Sequence, residues 1–252
     1  MNKALPAAYC FFQDIEPRPL LDLVFDRDYL LYAVTGALHV TVAGQRWFLP
    51  PSFAAWVPAD VPFTADIRKP MTTCSVLARP GFCALMPRKP VAFQMSPMAR
   101  QMIRYCKDWG ADGHHMPEAE GFFEALLNVC ARLAESSLDV RRPSATEPTL
   151  QKAIDVTEMK LAEKITAVDV ARSINRSERS MQRDFAENVG MTWSEVLTRL
   201  RVIRAIELLC DHDLSIIQVA GLSGYNSLSA FNRAFLRFAG CTPSAFRAGL
   251  GS

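Results

Sequence analysis

Residues 214–247 read LSIIQVAGLSGYNSLSAFNRAFLRFAGCTPSAFR, with two apolar runs at helical spacing on either side of a break at Gly224. Ile216, Val219 and Ala220 make the first run, and Phe231, Phe235 and Phe238, at i, i+4 and i+7, make the second. A glycine tolerates the positive φ of a tight turn, and Asn226 or Ser227 can then cap the next helix by accepting a backbone N–H. The stretch reads as helix, turn, helix. Burying the phenylalanine stripe leaves Ser229, Asn232, Arg233 and Arg237 on or near the outer face. Short polar groups and guanidinium forks on an exposed helix suit a DNA major groove, where Arg meets guanine and Asn meets adenine through paired hydrogen bonds. From Leu214 to Ser252 there is no Asp or Glu, and Arg233, Arg237 and Arg247 give this end a charge of +3. Taken alone, the pattern also describes an ordinary amphipathic helical hairpin.

It occurs twice. A shift of fifty positions superposes Ser177 on Ser227, Arg183 on Arg233, Phe185 on Phe235, Gly190 on Gly240, Thr192 on Thr242 and Ser194 on Ser244. Val170 and Ala171 match Val219 and Ala220 at forty-nine, so one residue differs within the turn. A repeat that keeps the turn spacing, a buried aromatic and an outward Arg asks for more than packing.

In the first copy, Ile165, Val168 or Val170, and Ala171 bury one face, and Asn175 takes the turn position that Gly224 holds in the second. Asn is the best substitute for Gly in the left-handed region. Ser177 caps a helix with Met181 and Phe185 inward and Arg179, Gln182 and Arg183 exposed together. Glu178, Asp184 and Glu187 share that helix and are expected on its solvent flank, away from phosphate.

These residues carry a resemblance. The pair is similar to the DNA-binding region of the AraC/XylS family of bacterial transcription regulators, through I-x-x-V-A…G-Y-x-S-x-S-x-F-x-R-x-F…G-x-T-P-x-x-F-R in the second copy. The resemblance covers Leu150 to Arg247 and implies two helix-turn-helix units joined by a long helix, here Trp193 to Cys210, reading successive major-groove segments. It implies Arg179, Gln182 and Arg183 as base contacts, with Ser229, Asn232 and Arg233 their counterparts. Asn175 in place of Gly and Arg176 in place of an aromatic depart from the family's pattern. The partners implied are double-stranded DNA and a small-molecule effector, with RNA polymerase and a second copy of the chain as further candidates.

The chain has 252 residues, half of them apolar, enough for one large domain or two modest ones. No run is long and apolar enough to cross a bilayer, and the start, MNKALPAAYCFFQDIEP, is too briefly apolar for a signal peptide. A cytoplasmic location is the expectation. Seven scattered cysteines without a C-x-x-C pair suit reduced, buried thiols; Cys74 and Cys83, near Arg79, are the alternative redox pair. The net charge of +2 divides evenly about residue 145, so DNA binding must rest on where cations face, not on their total.

From Leu20 to about Ala78 the chain is rich in Val, Tyr, Phe, Trp and Thr, with YLLYAVTG, ALHVTVAG, QRWFLPP, SFAAWVPAD and a stretch around Thr72 to Ala78 reading as strands. An antiparallel β-barrel or jelly roll closes such a series. Gly36 to Ala59 is similar to a subgroup of the cupin-type sensor barrels found in AraC-family members, which makes the expected fold class α+β: a cupin-like barrel with flanking helices, then an all-α double helix-turn-helix. A pocket in that barrel is expected to draw on Tyr32, His39, Trp47, Trp56 and Phe63. One histidine, His39, cannot make a catalytic metal site, which takes about three protein ligands. His114, His115 and His212 form no ligand-spaced set with it. No cofactor, metal or catalytic residue is assigned, and G-x-S-x-G, P-loop and dinucleotide fingerprints are missing from the sequence.

Met98 to Trp109 and Glu118 to Glu135 show helical spacing, and Phe122, Leu126, Val129 and Leu133 form a stripe that can cover the barrel or a second subunit. Ser136 to Pro148 has a linker's composition. The division expected is a sensing and dimerisation domain over 1–140, a linker over 141–148 and a DNA-binding domain over 149–252. The reading is a transcription regulator controlled by an effector. The alternatives are a metal-dependent cupin enzyme with a DNA-binding tail and a regulator whose barrel only dimerises.

Overall fold

A computed structural model of the chain describes residues 5–112, 118–135 and 141–250. The chain divides into two compact units between Arg141 and Arg142. The first is built from β1 (Ala8–Ile15), β2 (Arg18–Leu23), β3 (Asp28–Thr35), β4 (Leu38–Val42), β5 (Gln45–Leu49), β6 (Phe53–Val57), β7 (Phe63–Ile67), β8 (Met71–Ala78), β9 (Val91–Gln94), α1 (Pro97–Tyr105) and α2 (Ala119–Glu135). One antiparallel sheet runs β1-β8-β3-β6-β9, and the first unit's strands of the other run β5-β4-β7-β2.

Alternation along β3 divides the interior in two. Tyr29 and Leu31 face a cavity between the sheets, while Leu30 and Tyr32 join Cys10, Trp56, Cys74, Phe93, Ile103, Phe123 and Leu126 in a cluster under α1 and α2. The α2 stripe is therefore spent on its own barrel, with Leu126 fully buried and Phe122, Val129 and Leu133 packed against the same cluster. Between β4 and β5, Ala43 (φ 48°) and Gly44 (φ 72°) both take left-handed backbone, the two-residue turn whose twist suits a hairpin, and Val42 pairs with Gln45 across it.

Four strands, β1, β2, β7 and β9, escape the segments read from the sequence. β1 pairs with β8 along eight residues, yet Phe11 and Phe12 are both exposed, so its letters lack clean alternation. β9 is only four residues long and pairs with β6. Of the alternative redox pair, Cys74 and Cys83 each have another neighbour. Cys74 Sγ lies 3.6 Å from Cys10, on the neighbouring strand, while Cys83 donates to Asn128 Oδ1 at 3.2 Å. All seven cysteines are free.

The second unit holds α3 (Pro148–Met159), α4 (Ala167–Ser173), α5 (Glu178–Asn188), α6 (Trp193–Leu209), α7 (Ile216–Leu222), α8 (Leu228–Ala239) and α9 (Pro243–Leu250). Its beginning corrects the linker reading. The Arg142 side chain is 11% exposed and pairs with Glu158 and Glu207, because a guanidinium withdrawn from water requires carboxylate partners. Glu147 then caps α3 by accepting from the Thr149 and Leu150 N–H groups. Residues 142–148 thus belong to the second unit; 136–140 lie outside the described residues.

α6 buries residues on more than one face, since it serves two cores. Trp193, Val196, Leu197 and Leu200 pack with Val170, Ala171, Met181 and Phe185, and Trp193 Nε1 donates to Thr157 Oγ1 at 3.0 Å. Farther along, Val202, Ile203, Ile206 and Leu209 are buried, as are Val219, Ala220, Phe231, Phe235 and Phe246 of the second motif.

Candidate nucleic-acid interface

Both helix pairs turn by the same device. Asn175 (φ 55°) and Gly224 (φ 83°) end α4 and α7 in left-handed backbone. The next residue's N–H then reaches back over the turn, Arg176 to Ala171 O and Tyr225 to Ala220 O, each at 2.9 Å. Ser177 and Ser227 cap the following helices, accepting from Ser180 N and Ala230 N at 3.2 Å. The two intervals differ by Asn226, which accounts for the change of offset from forty-nine to fifty.

Anchoring by Met181 and Phe185 on α5, and by Phe231 and Phe235 on α8, turns the opposite faces outward. Arg179 and Arg183 are exposed and Gln182 is half-buried, one face of α5 at i, i+3, i+4. Ser229, Asn232 and Arg233 are exposed at the same spacing on α8. The structure thus places all six sequence-predicted residues in two equivalent triplets. Ser229 Oγ accepts from Arg233 Nη1 at 2.9 Å, which aims the guanidinium, whereas Arg183 leans toward Asp184 at 3.5 Å.

Two details differ from the sequence reading. Phe238 is only half-buried, under the Arg199 guanidinium at 5.8 Å from the ring centroid. Arg247, counted there as part of a basic end, donates to Leu214 O at 2.6 Å and Leu209 O at 3.3 Å, so it closes the end of α6.

The helix-turn-helix domain family matches residues 170–249. The HTH-type transcriptional regulator NimR of Escherichia coli (strain K12) is 23% identical over 221 residues, 88% of this chain and 80% of NimR. The HTH-type transcriptional regulator RipA of Corynebacterium diphtheriae is 37% identical over 107 residues, 42% of this chain but 30% of RipA. A solved transcriptional regulator of Chromobacterium violaceum, described as containing an AraC-type DNA-binding domain, is 28% identical with a TM-score of 0.40, over 42% of this chain and 94% of its own. Residues 170–249, most of the second unit, form a helix-turn-helix domain of the matched family.

Ahead of the helix-turn-helix domain, the first unit holds a cavity of about 190 Å³ between its sheets. Leu31, Leu38, Phe63, Ala65, Ile67 and Met71 line it, with Phe25 and Tyr29 beside Phe63, and Arg18 is the charged residue in its wall. Its hydroxyls are already engaged. Thr73 Oγ1 lies 2.8 Å from Ser75 Oγ and 3.1 Å from Tyr32 O, and Ser75 Oγ accepts from Tyr32 N at 3.1 Å. Burial pushes the Tyr29 phenol up to about 12, with the Ser75 hydrogen bond a smaller opposing effect.

Of the five pocket residues expected from sequence, Phe63 and Tyr32 border this cavity, although the Tyr32 ring belongs to the cluster under the helices. The other three lie elsewhere. Trp47, opposite Val40, is buried as packing. Trp56 faces the helices and donates to Pro87 O at 3.0 Å, and His39 stands on the other face of its strand, its ring 5.1 Å from Phe48. Strand register decides these faces, and the letters alone leave it open. Among the described residues no three His, Cys, Asp or Glu gather as metal ligands, and His114 and His115 lie outside them. No described helix is long and apolar enough to cross a membrane.

Proposed function

We propose that this chain is a cytoplasmic transcription regulator that reads double-stranded DNA through α5 and α8 and responds to a small, largely apolar effector in the cavity of its first unit. The observation that carries the DNA reading is the pair of outward triplets, Arg179, Gln182, Arg183 and Ser229, Asn232, Arg233, at matching positions of a repeated motif. Two such helices suit major-groove segments about one DNA turn apart. Arg183→Ala and Arg233→Ala should each cost about 1–3 kcal/mol of specific binding and relax preference at separate positions of the site. Footprinting and selection from a random duplex pool measure both; an unchanged preference in either variant would remove that helix as a reader.

The cavity argues for the effector's class. An apolar cavity of about 150 Å³ holds a molecule the size of benzene, so this one suits a single ring or a short branched chain. With Thr73 and Ser75 satisfied by backbone and each other, the wall favours an apolar body over a sugar-like one. Effector control requires that the molecule bind DNA-competent and incompetent states with different affinity. Ala65→Leu fills the cavity and should abolish the response to any such ligand while leaving ligand-free DNA binding intact. The response is read as the shift in DNA affinity across a panel of small aromatic and aliphatic compounds; a response retained in Ala65→Leu places the effector elsewhere. RNA polymerase is the proposed partner on bound DNA. A second copy of the chain would have to meet it through a face other than the α2 stripe.

A further inference from the structure

The two motifs are copies in backbone but unequal in charge. Residues 165–190 contain Arg172, Arg176, Arg179 and Arg183 against Asp169, Glu178, Asp184 and Glu187, and so are neutral. The matching window, residues 215–240, contains Arg233 and Arg237 and no acid, a charge of +2. The contrast is sharper on the reading helices: α5 sums to −1 and α8 to +2. On α5, Glu178 and Glu187 are exposed and Asp184 sits beside Arg183.

α8 also borders a groove with α6. Ala230, Arg233, Ala234 and Arg237, one face of α8, line it opposite Ser194, Thr198 and Arg199 of α6. Arg233 belongs to both the reading triplet and this groove, so the groove opens beside the reading face. Glu195 shares the lining, but its carboxylate is held by the Thr192 N–H and hydroxyl at 2.7 and 2.8 Å, where it caps α6. Ser194 adds a short hydroxyl side chain, a usual companion of Arg at a phosphate, whereas the Thr198 hydroxyl donates to Ser194 O at 2.9 Å.

We infer that this groove seats the DNA backbone on Arg199 and Arg237, so that the C-terminal motif supplies most of the salt-dependent grip and the neutral N-terminal motif supplies most of the discrimination between sequences. A neutral motif gains little from the phosphates at long range and binds well only where its base contacts are met. A motif of charge +2 holds any duplex and keeps the protein on DNA while α5 samples the sequence. The division rests on α5 and α8 being the DNA readers.

The test uses the full chain, a duplex it selects from a random pool, and a scrambled duplex of equal length. Arg199→Gln and Arg237→Gln should each lower the slope of log affinity against log salt by about 0.9, the value for one phosphate contact, on both duplexes alike. The ratio of selected to scrambled affinity should stay within about twofold, and Arg199→Lys should restore the slope. Glu187→Gln should tighten binding to the scrambled duplex more than to the selected one. Arg132→Gln, on α2, controls for net charge, and unfolding curves show that each variant is folded. Unchanged slopes for the groove variants, a changed sequence preference in them, or a Glu187→Gln protein with wild-type discrimination would overturn the inference. Loss of preference in neither Arg183→Ala nor Arg233→Ala would instead overturn the reading beneath it.

Discussion

Gly224 and Asn175 perform one backbone task under different constraints, and the difference lies in what surrounds them. Both take positive φ at the end of a short helix. Asn175 is exposed, and a side chain there projects into water. Gly224 is buried: a Cβ would run into Leu161 O and lie 2.7 Å from Arg201 Nε. That arginine is itself fixed, donating to Leu161 O at 3.2 Å and lying 5.7 Å from the centroid of the Tyr225 ring. Gly224→Ala therefore incurs about 1–2 kcal/mol for the left-handed conformation and, in addition, displaces backbone and a packed guanidinium. The expected loss is above about 3 kcal/mol, in the range reserved for named strain or packing defects. Asn175→Gly should stay within about 1 kcal/mol of the parent. Denaturant unfolding followed by helix signal compares the two; equal losses would remove Leu161 and Arg201 as the reason for the glycine. The sequence showed that a positive φ was needed at both positions, but not that only one had to admit a neighbouring carbonyl.

At the scale of elements, the long helix α6 is the part both motifs share, and Arg142 ties the entry of the unit to it. Arg142 joins Glu158 on α3 to Glu207 on α6, and Glu207 also accepts from Arg204 at 2.9 Å. Glu207 is 10% exposed on its side chain, so removing the guanidinium leaves a nearly buried carboxylate with only the half-exposed Arg204 as its cation. Arg142→Ala should destabilise the unit by about 3–5 kcal/mol, the usual cost of breaking a buried pair on one side. Adding Glu207→Gln to that variant should recover part of the loss, which thermal unfolding of the single and double variants measures. No periodicity marks such a contact, because its partners lie 16 and 65 residues from Arg142. The linker-like letters around Arg142 hid a structural anchor.

For the whole molecule, the consequence is a sharper place to cut. Residues 142–252 contain both motifs, their shared helix and the Arg142 cluster, and the apolar stripes pair off within them: Met181 and Phe185 with Val170 and Ala171, and Phe231 and Phe235 with Val219 and Phe246. About a hundred residues is an ordinary size for an autonomous domain. The fragment should fold and bind one DNA site as a monomer with the sequence preference of the full chain. A fragment beginning at Ser144 should melt lower, because Glu158 and Glu207 lose their guanidinium. Circular dichroism and binding at one salt concentration check both; a fragment that fails to fold would show that the helix-turn-helix domain depends on the first unit.

The letters by themselves determined the double helix-turn-helix, its connecting helix and the six outward residues, since each follows from local chemistry: a 3.6-residue stripe, a cap, and a residue able to take positive φ. They also determined the sheet-rich character of the first unit. The tertiary structure decided what depends on partners far apart in the chain. It set strand register, and so which of Tyr32, His39, Trp47, Trp56 and Phe63 border the cavity. It closed the first sheet with β1, whose exposed phenylalanines conceal it as a strand, and took Arg247 out of the basic surface by binding it to carbonyls. A helix stripe is written within a dozen residues, whereas a cavity wall is assembled from strands tens of residues apart, and only folding brings those together.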